Sequence, residues 1–203
     1  MLKKIKNSTK INSSTETPQV PPGQYETDKF PVMTFGDTPS IDLHLWEFNI
    51  FGLIDTPIVL NWNQFTSLQS TKITADFHCV TQWSRINNEW EGILFNDLMP
   101  LIQPKPKARF VMVHCYGGYT TNLELDVLTD QDVLFAHSLN GTQINKDHGG
   151  PLRLVVPKRY AWKSAKWVNG LEFMEANASG FWESQGYHMD GNPLLEQRFD
   201  SND

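Results

Sequence analysis

The apolar residues of this chain fall into short runs separated by glycine, proline and asparagine. In residues 73–79 apolar and polar residues alternate, which places Ile73, Ala75, Phe77 and Cys79 on one face of a β-strand. The dipeptide Asn140-Gly141 favours a type I′ turn and predicts a hairpin between residues 133–139 and a short following strand. Further strands are predicted at residues 45–51, 109–115, 152–156 and 166–173.

Two other segments have the spacing of helices. Asn61 is the predicted N-cap of a short first helix, and Pro104 and Pro106 end the second. Strands of this length, frequent turns and few helices predict an α+β domain built on mixed sheet, not a regular βαβ alternation. The positions that carry the two helical patterns are Trp62, Phe65 and Leu68, and then Leu94, Leu98, Leu101 and Ile102.

The length of 203 residues, of which 39% are apolar, allows one substantial core. We therefore predict a single domain over residues 30–203, preceded by a polar N-terminal arm over residues 1–29. The net charge of −6 argues against a nucleic-acid-binding surface. No apolar run reaches the roughly 18 residues of a membrane span, and residues 1–17 lack the apolar core of an export signal, so a cytoplasmic location is expected.

The chain contains two cysteines, Cys79 and Cys115, and each ends a different predicted strand. Free thiols are expected rather than a disulfide framework. A cysteine thiolate is a soft ligand that suits copper(I), zinc, iron–sulfur clusters or molybdenum, but one cysteine alone specifies no metal. For a lone cysteine, a buried structural thiol is the commoner alternative. The histidines show no zinc-binding spacing, so a zinc enzyme has little support.

A second feature is a group of cations between Asp147 and Glu172, a stretch that contains no carboxylate. Gly149 and Gly150 would let backbone amides approach a phosphate, and arginine and lysine would supply charge-assisted hydrogen bonds. The stretch is either a local anion site or a solvated basic face, and the pattern alone does not separate these alternatives. Its cations are Arg153, Lys158, Arg159, Lys163 and Lys166.

Several motifs occur in order over residues 30–198. They are DFHCVTQWS (76–84), WEG (90–92), GGYT (117–120), HGGPLRLVVP (148–157), WKSAKW (162–167), GYH (186–188) and NP (192–193). On these residues the chain resembles the sulfite-oxidase-like molybdopterin oxidoreductases, in the branch of small, stand-alone, haem-free proteins. The resemblance implies an α+β fold of the sulfite oxidase catalytic-domain type, with one molybdopterin bound deep inside.

The resemblance also implies roles for particular residues. Cys79 would coordinate molybdenum, and Arg85, six positions later, is the candidate to face substrate. His78 is expected to be structural. A dianionic phosphate inside a fold must be paired, and the fork of Arg153 with the point charge of Lys166 suits it. The implied contacts to the pterin and its phosphate are Thr81, Cys115, His148, Arg153, Ser164, Ala165 and Lys166.

The implied activity is oxygen-atom transfer on a small sulfur- or nitrogen-oxygen compound. An external electron-transfer partner is expected, because the chain has no haem-binding motif. Its five arginines are few for holding an oxyanion, so the sequence does not single out sulfite. Two alternatives stay open: reduction of methionine sulfoxide or another S-oxide, and a non-catalytic molybdopterin-binding or carrier protein.

Overall fold

The computed structural model describes residues 20–200, and within that range eleven strands form two β-sheets. The strands are β1 (Tyr25–Glu26), β2 (Glu47–Gly52), β3 (Ile58–Asn61), β4 (Thr71–His78), β5 (Trp83–Leu94), β6 (Phe110–Cys115), β7 (Thr120–Glu124), β8 (Leu134–Leu139), β9 (Thr142–Gln143), β10 (Arg153–Val155) and β11 (Val168–Met174). The α-helices are α1 (Trp62–Thr66), α2 (Phe95–Ile102) and α3 (Leu125–Leu128).

The first sheet contains the strand that leads to Cys79. Its order is β1-β5-β8-β10, with β4 paired to β5 and β9 paired to β8. The long strand β5 is antiparallel to β4 and β8 and parallel to β1. Strand β1 belongs to the predicted N-terminal arm and pairs with Trp83 and Ser84, so this sheet includes residues before position 30. Residues 1–19 of the arm lie outside the described residues.

The second sheet has the order β3-β2-β11-β6-β7, in which β11 is parallel to β2 and antiparallel to β6. A large apolar cluster packs the two sheets together, and within it the rings of Phe48 and Phe135 lie 5.2 Å apart. A smaller cluster around Phe77, Trp83 and Trp90 contains Cys79. This mixed-sheet arrangement with short helices confirms the predicted α+β class.

Two local predictions are confirmed in detail. The Asn61 side chain accepts a hydrogen bond from the backbone N–H of Gln64, and the Gln64 side chain accepts from the N–H of Asn61, which is a complete capping box. In the hairpin, Asn140 and Gly141 have φ angles of 49° and 75°, as a type I′ turn requires. No helix within residues 20–200 has the length and apolar character needed to cross a bilayer.

The alternation of β4 differs from the expected pattern at its end. A register shift lies between Ala75 and Phe77, and both His78 and Cys79 are buried although they were predicted on opposite faces. His78 faces the protein because its Nδ1 atom forms a hydrogen bond with the Ser84 hydroxyl at 2.8 Å. At this end of the strand, the face that carries His78 is therefore buried as well as the face that carries Cys79.

Candidate functional site

Cys79 lies in a tight turn between β4 and β5. Its N–H donates to the carbonyl oxygen of Trp83 at 2.9 Å, and its carbonyl oxygen accepts from the N–H of Gln82 at 3.0 Å. The side chain is buried, and its Sγ atom lies 3.1 Å from the Thr81 hydroxyl. Pairing of β4 with β5 thus fixes the backbone position of Cys79.

A cavity of about 390 Å³ opens in front of this thiol. The structure brings seven of the predicted site residues to its walls, together with aromatic side chains from five parts of the chain. The predicted residues are Cys79, Thr81, His148, Arg153, Ser164, Ala165 and Lys166. The aromatic residues are Phe30, Phe35, Phe77, Trp83, Tyr119, Trp162, Trp167, Phe181, Trp182 and Tyr187.

Arg153 is a buried cation that has no acidic partner within residues 20–200. Its guanidinium donates to the carbonyl oxygens of His148 and Ser164 at 2.8 and 2.9 Å, and lies 4.8 Å from the ring centre of Phe77. Its Nε atom is buried without a partner among the described residues. Burial lowers the pKa of Arg153 to about 9, so the positive charge is costly here unless an anion joins it.

Lys166 places a second cation on the same cavity. Its ammonium group donates to the Asp147 carbonyl oxygen at 2.9 Å and lies 4.3 Å from the ring centre of Trp167. Burial, and then the charge of Arg153, lower the pKa of Lys166 to about 8. Gly149 is needed for this packing, since a Cβ atom there would come within 2.9 Å of the Lys166 side chain. Two mutually repelling cations around one space make an anion site.

The other three cations of the basic stretch are used elsewhere. Lys158 pairs with Asp130 at 2.9 Å on the surface, and Arg159 pairs with Asp190 at 2.7 Å. Lys163 is fully buried and pairs with Glu183 at 2.6 Å. The anion site therefore uses two of the five cations, because each of the others is neutralised by its own carboxylate.

The buried pair of Lys163 and Glu183 supports one cavity wall. Glu183 also accepts hydrogen bonds from the Thr121 hydroxyl at 2.8 Å and from the Trp162 indole at 3.0 Å. Tyr119 donates to the carbonyl oxygen of Trp162 at 2.6 Å. No role was predicted for Glu183, because a glutamate outside the motifs has no local signal that it becomes buried.

Two predicted site residues do not line the cavity. The Arg85 guanidinium lies 5.4 Å from the ring centre of Phe30, and Phe30 does line the cavity. Cys115 is buried at the start of the turn that contains Gly117 and Gly118, and its N–H donates to the Tyr119 carbonyl oxygen at 3.0 Å across this turn. Burial raises the pKa of the Cys115 thiol, so this sulfur stays protonated.

His148 closes the anion site from the side of the N-terminal segment. Its ring stacks on Phe30 with a centroid distance of 4.4 Å and an interplanar angle of 3°. Burial, followed by the charges of Arg153 and Lys166, lowers the pKa of His148, so the ring is neutral at pH 7. Near the thiol, burial and then Cys79 raise the pKa of Tyr187, which keeps its hydroxyl protonated.

These residues fit a phosphorylated cofactor that carries a soft metal. The orphaned Nε atom of Arg153 and the low pKa of Lys166 both favour a bound phosphate, which would offset the cost of two buried charges. Cys79 offers the soft sulfur ligand on the same cavity. The aromatic walls between them suit a flat heterocycle.

Comparison with known proteins identifies this arrangement. A model of the oxidoreductase molybdopterin binding domain matches residues 35–182. The uncharacterized oxidoreductase YuiH of Bacillus subtilis (strain 168) is 40% identical over 191 residues, which cover 94% of this chain and 96% of that protein. Sulfite oxidase of Arabidopsis thaliana is 28% identical over 225 residues, which cover 90% of this chain and 57% of that protein.

Among solved structures, the sulfane dehydrogenase SoxCD of Paracoccus pantotrophus matches with a TM-score of 0.64 and 21% identity. The match covers 73% of this chain and 42% of that chain, and it shows the shared fold. The matched family range includes Cys79, Arg153 and Lys166. The chain therefore belongs to the sulfite-oxidase-like oxidoreductases with a molybdopterin-binding domain, and it is a molybdenum-dependent enzyme whose cofactor is molybdopterin.

Proposed function

We propose that this protein transfers an oxygen atom to or from a small sulfur- or nitrogen-oxygen compound, at a molybdenum ion bound by Cys79. The observation that carries the proposal is that the Cys79 thiol and two cations without carboxylate partners, Arg153 and Lys166, line one cavity. The soft thiolate suits molybdenum, and the paired cations suit the phosphate of the pterin.

The other predicted residues have supporting parts in this proposal. Thr81 contacts the Cys79 sulfur and would orient it as a ligand. His148 and Ser164 hold the Arg153 guanidinium through their carbonyl oxygens, which directs its remaining N–H groups. Ala165, also on the cavity wall, would meet the pterin through its backbone. Cys115 would act through the turn it supports, since its thiol does not line the cavity.

When bound, the molybdenum cofactor supplies a two-electron redox change coupled to gain or loss of one oxygen atom. Removing oxygen from a substrate as water consumes two electrons and two protons, and the reverse reaction releases them. We therefore propose an external electron-transfer partner. The two free cysteines support a reducing compartment, and we propose the cytoplasm.

One observation favours a neutral S-oxide as the second candidate substrate. Within residues 20–200, the cations that line the cavity are those assigned to the phosphate, and Arg85 does not line it. The walls around Cys79 include Trp83 and Tyr187, which offer apolar surface and a hydroxyl donor. An oxyanion such as sulfite would need a cation beside it, whereas an organic S-oxide needs only a donor to its oxygen.

Turnover tests the proposal and separates the candidates. The protein would be purified from a host that makes molybdopterin, and its molybdenum and pterin content measured. Sulfite oxidation and the reduction of nitrate and organic S-oxides would then be assayed with artificial electron mediators. We expect turnover of at least one substrate by the loaded protein. A fully loaded protein that converts none of the panel would contradict an enzyme and favour the carrier alternative.

A further inference from the structure

Two side chains hold the Cys79 turn from outside. The Gln24 amide donates to the carbonyl oxygen of Cys79 at 3.1 Å, and the Gln24 side-chain oxygen accepts from the Ser84 hydroxyl at 3.3 Å. On the next peptide, the Arg198 guanidinium donates to the carbonyl oxygen of Val80. Two successive carbonyl groups of one turn are thus bound by donors that are 55 and 118 positions distant in the sequence.

Both donors lie outside residues 35–182, the range that the family model matches. Gln24 directly precedes β1, and Arg198 lies near the other end of the described chain. The Arg198 side chain is 14% exposed, and its guanidinium lies 5.0 Å from the ring centre of Tyr160. The two segments touch, since a Cβ atom at Gly23 would come within 3.2 Å of Arg198 Nη2. We name Gln24 and Arg198 the turn clamp.

The turn itself has little internal support. It closes through two backbone hydrogen bonds, from Gln82 to Cys79 and from Cys79 to Trp83, and Gln82 has a φ of 74°, which is unfavourable for a residue with a side chain. Strand pairing fixes the residues on either side of the turn, but the peptides after Cys79 and Val80 have no ladder partner. External donors to these two peptides therefore restrict how the turn can move.

We propose that Gln24 and Arg198 are positioning residues for the metal-binding thiol, because Gln24 fixes the peptide that directly follows Cys79 and Arg198 fixes the next peptide of the same turn. This inference rests on the proposed role of Cys79 as a metal ligand. Arg198 has the larger effect of the two, since a hydrogen bond from a charged donor is stronger than one from a neutral amide. The clamp would hold the sulfur in place before the cofactor enters.

Alkylation of the cofactor-free protein measures the clamp directly. Cys79 lines the cavity but is only 5% exposed, so its reaction with iodoacetamide is slow and becomes faster when the turn opens locally. We expect Arg198→Ala to raise the alkylation rate about tenfold or more, and Gln24→Ala to raise it by a smaller factor. Mass spectrometry of the Cys79 peptide separates this reaction from that of Cys115.

Arg159→Ala is a matched control, because the Arg159 side chain is 13% exposed and pairs with Asp190 without contacting the turn. Its Cys79 alkylation rate should equal that of the wild type. Arg198→Lys keeps a charged donor and should recover most of the protection. Circular dichroism would check that each variant is folded.

In the loaded protein, both clamp variants should shift the thiolate-to-metal absorption band and the reduction potential of the metal, while Arg159→Ala should shift neither. Absence of the band from the wild-type protein would overturn the ligand role of Cys79. Unchanged alkylation and an unshifted band in both clamp variants would overturn the turn clamp and leave the proposed function intact.

Discussion

Replacing Arg153 with methionine should separate the cost of a buried charge from its use in binding an anion. Arg153 is 4% exposed and takes part in none of the ion pairs found within residues 20–200. Methionine reproduces the unbranched arginine stem as far as Nε and has no charge, so the Arg153→Met variant keeps the stem while it removes the cation that lies over Phe77 and Trp90.

The lowered pKa gives the size of the effect. The fall from 12.5 to about 9 corresponds to a cost of about 5 kcal/mol for keeping the guanidinium charged in this site. Methionine removes that cost, but it leaves the carbonyl oxygens of His148 and Ser164 without their donors, at about 1–3 kcal/mol each. Because these effects oppose each other, the free energy of unfolding of the cofactor-free protein should lie between about 1 kcal/mol below and about 3 kcal/mol above the wild-type value.

Cofactor binding should respond much more strongly. Losing a charge-assisted hydrogen bond to phosphate weakens binding about ten- to a hundredfold. Urea unfolding of the cofactor-free variant measures the free energy of unfolding, and molybdenum and pterin content after dialysis measures cofactor binding. Arg159→Met serves as control and should keep its cofactor. Wild-type cofactor content in Arg153→Met, or a loss of more than about 4 kcal/mol in the cofactor-free protein, would refute the reasoning.

Three further variants test other parts of the site. Cys79→Ser should lose the thiolate-to-metal absorption band, whereas Cys115→Ser should keep it; an unchanged spectrum in Cys79→Ser would exclude the sulfur as ligand. Lys166 loses its charge as pH rises through its lowered pKa of about 8. Phosphate affinity of the cofactor-free protein, measured by calorimetry, should therefore fall between about pH 7 and about pH 9 by more than the affinity of the Lys166→Met variant does. Equal pH profiles would contradict this. Lys163→Met should cost about 3–5 kcal/mol in urea unfolding, because Glu183 is left buried and unpaired, and a stability close to wild type would show that the pair is dispensable.

The elements that depend on neighbouring residues were predictable from sequence. Asn61 and Gln64 form the capping box within one turn of chain, and Asn140 and Gly141 adopt the hairpin turn through their own backbone preferences. The positions of Cys79 and Arg153 in the site follow from motifs whose residues lie close together in sequence. In each case the physical cause acts over a few residues.

The distribution of the cations was not predictable, because burial and partners are set across the fold. Arg153 and Lys163 are ten positions apart in one basic stretch, yet one faces the cavity without a carboxylate and the other is neutralised by Glu183. Arg85 was a reasonable substrate contact by sequence distance from Cys79, but it does not line the cavity, and its guanidinium lies 5.4 Å from the ring centre of Phe30 in the N-terminal segment. Sequence spacing contains no information on that segment.

The sequence by itself determined the α+β class and the local elements, and its resemblance to a family implied the two chemical groups of the proposed site, the Cys79 thiol and the cations Arg153 and Lys166. It did so because strand alternation, caps, turns and motifs depend on residues that are near one another in the chain. Only the tertiary structure decided which cations stay without a counter-ion and which side chains hold the Cys79 turn. Those properties arise from contacts between distant segments, such as Gln24 and Arg198 with one turn, and from the desolvation that such contacts impose.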